Sequence, residues 1–232
     1  MKKTASLIVA IMLCAFLKVS AQHYKYIDSS KVMGVKKYAR QIKAHPETRL
    51  VEIKRYIPGI VLDIRYATTN NFTHHQMYRE AKAFARLPVV LALRDVEAGL
   101  KTKGLGIKIY DAYRPYAITV KFYEVTPDTN FVADPRKGSK HNRGCAIDMG
   151  LIDLKTGKEL DMPTGFDSFS KKAASNYNAL PQQEIANRQV LRDAMQAHGF
   201  VEIPTEWWHF DFKGWQQFPL LDIPFSKITD KQ

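Results

Sequence analysis

The chain of 232 residues has only two cysteines, Cys14 and Cys145. Cys14 falls in an N-terminal stretch built like a removable export signal, so the mature chain keeps one thiol and an internal disulfide is excluded. A long apolar run is also missing. The most apolar stretch near the start, residues 6–16, is too short to cross a bilayer comfortably, so the mature chain is expected to have no stable membrane insertion. Glycine (12) and proline (11) are too sparse for a low-complexity or collagen-like chain, and no internal repeat is visible. Basic residues outnumber acidic ones, with a net charge of +12. They lie scattered, not in stripes with interleaved aromatics, which argues against a nucleic-acid partner.

What is there begins with the first 21 residues. Lys2 and Lys3 form a positive start, residues 6–16 an apolar middle, and Val19-Ser20-Ala21 a small-residue cleavage site. This predicts a signal over 1–21 and an exported protein, periplasmic or secreted, with a retained anchor as the alternative. Removing three lysines and no acid leaves the mature chain at +9. Such a charge suits attraction to anionic envelope polymers, and equally simple solubility.

Residues 22–232 suit a single domain with a lead-in over 22–50. Strand patterns fall at 51–53 and 61–67, with a turn at Asn70-Asn71. Pro88 opens a predicted helix over 88–101, with Val89, Leu93, Val96 and Leu100 on one face. Leu105, Ile107 and Ile109 alternate as a strand that delivers the segment 110–115. Residues 126–140 and 153–182 read as mostly loop, and 145–151 as a buried strand. A second helix is predicted over 183–198, with Val190, Ala194 and Ala197 inward and Gly199 as its stop. Residues 200–203 and 207–212 form a hairpin around Pro204-Thr205. Strands and helices alternate without a βαβ rhythm, which predicts an α+β fold with a mainly antiparallel central sheet flanked by helices.

Three segments concentrate reactive side chains: Ser139-Lys140-His141-Asn142-Arg143-Gly144-Cys145-Ala146-Ile147-Asp148, then Glu206-Trp207-Trp208-His209, and Asp111-Ala112-Tyr113-Arg114-Pro115. Catalytic zinc takes three protein ligands from imidazole and carboxylate and keeps one position open. His141, Asp148 and His209 supply that set if adjacent strands bring them together, with Glu206 near a water as general base. Glu206 and His209 are three apart, so on an unbroken strand they face opposite ways. Glu206 is therefore expected in the turn after Pro204. The competing reading is that these residues are ordinary hydrogen-bonded or surface groups, as expected for His23, His45, His74, His75 and His198. Cys145 as a nucleophile with His141 is disfavoured by its apolar strand setting, which keeps a thiol protonated.

These motifs resemble the zinc peptidases of the D-alanyl-D-alanine carboxypeptidase and hedgehog-like fold, and most closely the D-Ala-D-Ala dipeptidases of the vancomycin-resistance type. The resemblance runs through Ser139-x-His141-x-x-Gly144-x-Ala146-Ile147-Asp148 and Glu206-Trp207-Trp208-His209. It also includes Arg65-Tyr66-Ala67-Thr68, Asp111-x-Tyr113-Arg114-Pro115 and Phe166-Asp167, and spans about residues 60–220. Ala112 stands where glycine is common, and Cys145 where a small residue is usual. The resemblance implies one Zn2+ per chain on His141, Asp148 and His209, with Glu206 as base. It implies Arg114 as transition-state stabiliser, and Tyr66, Ser139 and Asp167 as substrate-binding residues, with Tyr66 and Asp167 holding the free amino end. The plain alternatives are an Asp111–Arg114 ion pair and an N-cap at Asp167 for a helix over 168–173. The implied reaction is hydrolysis of D-alanyl-D-alanine to two D-alanines. Two other functions are weighed against it: a D,D-carboxypeptidase or endopeptidase on peptidoglycan stems, and a non-catalytic envelope-binding module with structural zinc. The latter ordinarily closes its metal with four ligands, and this sequence offers three and a free Glu206.

Overall fold

The computed structural model describes residues 24–129 and 132–229. The export signal expected over 1–21 lies outside the described residues. The chain enters through β1 (Val32–Met33), α1 (Val35–Ala44), β2 (Leu50–Glu52), the single turn α2 (Ile53–Tyr56) and β3 (Val61–Leu62). Strand β4 (Phe84–Arg86) runs directly into α3 (Leu87–Lys101), followed by β5 (Leu105–Asp111) and α4 (Tyr116–Val125). After a long loop come β6 (Ala146–Asp153), α5 (Gln182–Ala197), β7 (Phe200–Ile203), β8 (Glu206–Phe212) and β9 (Leu220–Leu221).

Five strands form the central sheet in the order β3-β5-β6-β8-β7. Every pairing in it is antiparallel except β3 with β5. The fold is α+β, as the element pattern predicts. Helices α3 and α5 pack on each other, α3 also against β5 and α5 against β7. Pro88 sits in the first turn of α3, where its missing N–H costs nothing. Val89, Leu93, Val96 and Leu100 are all buried on its inner side, together with Ile147 and Met149 of β6. The lead-in is tied to the far end of the chain. Val32 and Met33 pair in parallel with Leu220 and Leu221, and the Tyr24 hydroxyl donates to Asp222 at 2.7 Å. Among the described residues, no helix is long and apolar enough to cross a membrane.

Two local expectations need correction. The strand expected over 61–67 stops at Leu62, and Arg65–Ala67 forms a 3-10 turn. Arg65 pairs with Asp63 at 2.9 Å, while the Asn71 side chain donates to the Thr68 and His75 carbonyls. These local polar bonds outcompete sheet pairing and turn Tyr66 into the core. The inward face of α5 is Arg188, Leu191 and Met195; Ala197 is exposed, and Val190 and Ala194 are only half-buried. Burying Arg188, whose Nη1 donates to the Tyr177 carbonyl at 2.6 Å, turns the helix away from the stripe that the aliphatic residues mark. Strand β4 and helix α4 were not anticipated. The polar face of α4 is only Lys121 and Glu124, too short to stand out as a helical period in an otherwise apolar segment.

Candidate active site

The sheet assembles the site as a row of side chains. A bulge between Ile109 and Asp111 brings Asp111 opposite Asp148, and Asp148 lies opposite His209 in the next pairing. Asp111, Asp148 and His209 thus stand side by side on β5, β6 and β8. Their neighbours Ile147 and Met149 point to the opposite face, as period two demands.

His141 arrives from outside the sheet, on the 3-10 turn His141–Arg143. Gly144 closes that turn at φ 69°, and a Cβ there would meet Leu50 Cδ2 at 2.6 Å. Arg86 pins the same turn: its backbone N–H donates to the Gly144 carbonyl at 2.9 Å and its Nε to the Arg143 carbonyl at 2.8 Å. Asn142 fastens it on the other side, accepting from Ser139 N and donating to Arg114 O and Thr119 Oγ1. The Ser139 hydroxyl accepts from the His141 N–H at 3.2 Å.

One ligand atom each from His141, Asp148 and His209 lies within 4.8 Å of the others, and all three residues are buried. Their outer contacts assign the imidazole tautomers. His141 Nδ1 is 2.7 Å from the Ala112 carbonyl, which only accepts, so Nδ1 carries the proton and Nε2 a lone pair. His209 Nε2 is 2.9 Å from Asp211 Oδ1, so it too is protonated and Nδ1 holds the lone pair. The two lone pairs face each other at 3.2 Å and both face the Asp148 carboxylate, at 3.4 and 3.0 Å. Three acceptors converging in a buried place demand a cation between them. The donor set, with each outer imidazole nitrogen fixed by an oxygen, is that of a divalent-metal centre. Without an ion a proton fills the role. Burial alone would lower His209, yet Asp148 and Asp211 push it up to about 10. Burial likewise works against the Asp148 carboxylate, and the two imidazoles still hold it well below the usual range.

Glu206 reaches the same point through an irregular strand. It is the first residue of β8, not a turn residue, and pairs with Ile203, whereas the adjacent Glu202 pairs with Phe210. The intervening Trp207, Trp208 and His209 bulge outward from β7. This register break cancels the alternation that would set Glu206 and His209 on opposite faces, and leaves Glu206 Oε2 3.8 Å from His209 Nδ1. Burial raises the Glu206 carboxyl, partly countered by His209.

The side chains of Tyr66, Arg114, Ser139, His141, Asp148, Asp167, Glu206 and His209 all line one cavity of about 320 Å³. Arg114 is buried. Its Nε and Nη2 donate to Asp111 Oδ2 at 3.0 and 2.7 Å, and its guanidinium lies 4.6 Å from the Phe122 ring centre and 5.4 Å from that of Tyr66. The Asp111 ion pair therefore exists alongside cavity exposure and does not replace it. Asp167 is not an N-cap; Ser170 caps the short turn Lys171–Ala173. Instead Asp167 adopts φ 61° and accepts from the Tyr66 hydroxyl, 2.8 and 3.0 Å from its two oxygens. Burial drives its carboxyl well above the ordinary range despite that bond. A half-buried carboxylate of this kind, without a charged partner of its own, gains from a cationic ligand. Cys145 is buried, and burial pushes its thiol up to about 12. His45, His74 and His75 are exposed and outside the site.

Two members of the site escaped the sequence reading. Asp211 orients His209, and the available signal was its i+2 position on one strand face. The Ala112 carbonyl orients His141, and backbone atoms leave no mark in a motif.

A family model described as peptidase M15, D-ala-D-ala dipeptidase, matches residues 46–228. The chain is 34% identical over 179 residues to D-alanyl-D-alanine dipeptidase of Escherichia coli (strain K12), a match covering 77% of this chain and 92% of that protein. To the protein of the same name from Enterococcus faecalis (strain ATCC 700802 / V583) it is 28% identical over 184 residues, covering 71% and 91%. Among solved structures, VanYB in complex with D-Alanine-D-Alanine overlaps 58% of this chain and 74% of its own, at 14% identity and a TM-score of 0.37.

Proposed function

This chain belongs to the peptidase M15 family of D-ala-D-ala dipeptidases, and from that premise we propose that it hydrolyses D-alanyl-D-alanine with zinc held by His141, Asp148 and His209. The observation that carries the proposal is the convergence of two imidazole lone pairs and a carboxylate beside Glu206. Zinc, when bound, supplies Lewis acidity toward the scissile carbonyl and makes water acidic at about pH 7.

The remaining steps belong to the chain. Glu206 takes a proton from the attacking water and returns it to the departing amine; its raised carboxyl suits both directions. Arg114 offers a permanent charge to the developing oxyanion, aimed by Asp111 and by the faces of Phe122 and Tyr66. Asp167, steadied by the Tyr66 hydroxyl, receives the substrate ammonium. Ser139 lines the same cavity and positions substrate through its hydroxyl. A carboxylate walled in at the amino-end position favours a free dipeptide over the interior of a longer chain. The signal-like residues 1–21 support a workplace outside the cytoplasm, periplasmic or secreted, among peptides of wall turnover.

Purified mature protein tests this with a panel of D-Ala-D-Ala, L-Ala-L-Ala and a stem pentapeptide ending in D-Ala-D-Ala, with and without chelator. D-Ala-D-Ala is cleaved and the pentapeptide is not, and chelation stops turnover. Glu206→Gln lowers kcat by about 10²- to 10⁴-fold while zinc content and Tm stay as they were. Cleavage of the stem as fast as the dipeptide would instead support a carboxypeptidase. Full turnover after complete demetallation removes the zinc reading altogether.

A further inference from the structure

Arg114 lines the catalytic cavity, and the group that aims it, Asp111, lies behind it in the sheet. Asp111 is buried, and both of its oxygens are engaged. Oδ2 accepts from two nitrogens of Arg114, Nε at 3.0 Å and Nη2 at 2.7 Å. Oδ1 accepts from the Tyr78 hydroxyl at 2.8 Å. A guanidinium and a carboxylate often meet as a fork, with two parallel bonds, one to each oxygen. Here both guanidinium bonds fall on a single oxygen, and the phenol holds the other. Tyr78 therefore fixes the angle at which Asp111 meets Arg114.

The rest of Tyr78 is built into the protein away from the catalytic cavity. Its backbone N–H donates to the Tyr66 carbonyl at 2.8 Å. Its ring centre lies 5.8 Å from that of Tyr66 and 4.9 Å from that of Phe225. The ring helps wall a second, separate cavity of about 620 Å³, together with Met77, Ile118 and Phe225. The phenol is thus anchored at its backbone and on its ring, and its hydroxyl reaches Asp111 from a fixed base. Without that hydroxyl, Oδ1 would be left dry and without a donor. Rotating the carboxylate into the fork would recover a donor from Arg114, and would re-aim the guanidinium as it did so.

We propose that Tyr78 is a positioning residue for the reaction: by holding Asp111 Oδ1 it keeps Arg114 directed at the reacting carbonyl. The proposal rests on the dipeptidase reading and on Arg114 as the oxyanion's partner, and adds the residue that sets its aim.

A double-variant cycle tests it. Zinc-loaded wild type, Tyr78→Phe, Arg114→Lys and the double variant are compared on D-Ala-D-Ala. Arg114→Lys keeps a charge beside Asp111 and has no planar fork to aim. Zinc content and Tm are measured in each, because Asp111 Oδ2 also lies 3.9 Å from His141 Nδ1. Tyr78→Phe lowers kcat by about 10-fold, with KM within about twofold and zinc content unchanged. In the Arg114→Lys background the same replacement changes kcat by less than about twofold. An equal loss in both backgrounds, a loss carried by KM or by zinc content, or an unaltered kcat would overturn the proposal. A Tyr78→Phe chain that lost its fold would lose turnover in both backgrounds and counts with the first of these. Wild type that leaves D-Ala-D-Ala uncut removes the dipeptidase reading itself, a result distinct from all of them.

Discussion

His209 stands between two carboxylates with different tasks. Asp148 shares the metal point with it, whereas Asp211 accepts from the opposite ring nitrogen and decides which nitrogen keeps the lone pair. Removing Asp211 leaves every ligand in place and takes away only the orientation. Asp211→Ala is therefore expected to weaken zinc binding by about 10- to 100-fold while the fold persists. Chelator competition measures the change, and an unaltered zinc affinity would refute the role. At the same scale Cys145 shows how little a reactive residue type says without its surroundings. It lies two residues from His141's turn, yet its thiol stays protonated at neutral pH because the strand around it is dry.

At the scale of elements, the turn that carries His141 depends on Gly144. The position has left-handed φ, and an added Cβ would run into Leu50 and lie 3.3 Å from the Arg86 backbone nitrogen. Gly144→Ala thus combines backbone strain with overpacking, an expected loss of about 2–4 kcal/mol. Because the same turn is held by Arg86 and Asn142, the damage passes to His141. Thermal unfolding and zinc affinity should fall together; a lower Tm with unchanged zinc affinity would show the turn to be decoupled from the metal point. Elements of this kind mark what could be read from the sequence. Helix α3 was legible because its apolar stripe faces one core, and the ligand trio because its residue types and spacing are distinctive. The bulge at Glu206 was not, since nothing in Glu206-Trp207-Trp208-His209 records that β7 skips three residues of its partner. The inner face of α5 was misjudged because a buried arginine carries part of it. Asp211 stayed hidden because an orienting residue needs only a neighbour, and neighbours are made by pairing.

For the whole molecule, alkaline pH acts through buried phenols and one thiol. Tyr66, Tyr78 and Tyr113 are buried, and burial raises each well above the ordinary tyrosine range, with Asp167 and Asp111 adding to the effect at Tyr66 and Tyr78. Cys145 rises from 9.0 to about 12 for the same reason. In the folded chain these groups keep their protons where the unfolded chain releases them. The unfolded state then binds fewer protons, so the slope of unfolding free energy with pH is negative. The stabilisation is complete below about pH 9 and is lost as pH climbs toward the folded values, each group contributing up to about 1.4 kcal/mol per pH unit. Against a total of about 5–15 kcal/mol for a domain, four such groups are enough to unfold it. In zinc-loaded protein, where the ion takes the place of the proton at His209 Nδ1, urea midpoints should drop steeply from about pH 10 to pH 11.5. Tyrosinate absorbance should rise in step with unfolding. If all eleven tyrosines titrate together near pH 10 while the fold survives, the interior does not protect its phenols, and the desolvated wall that Tyr66 forms against Asp167 loses its physical basis.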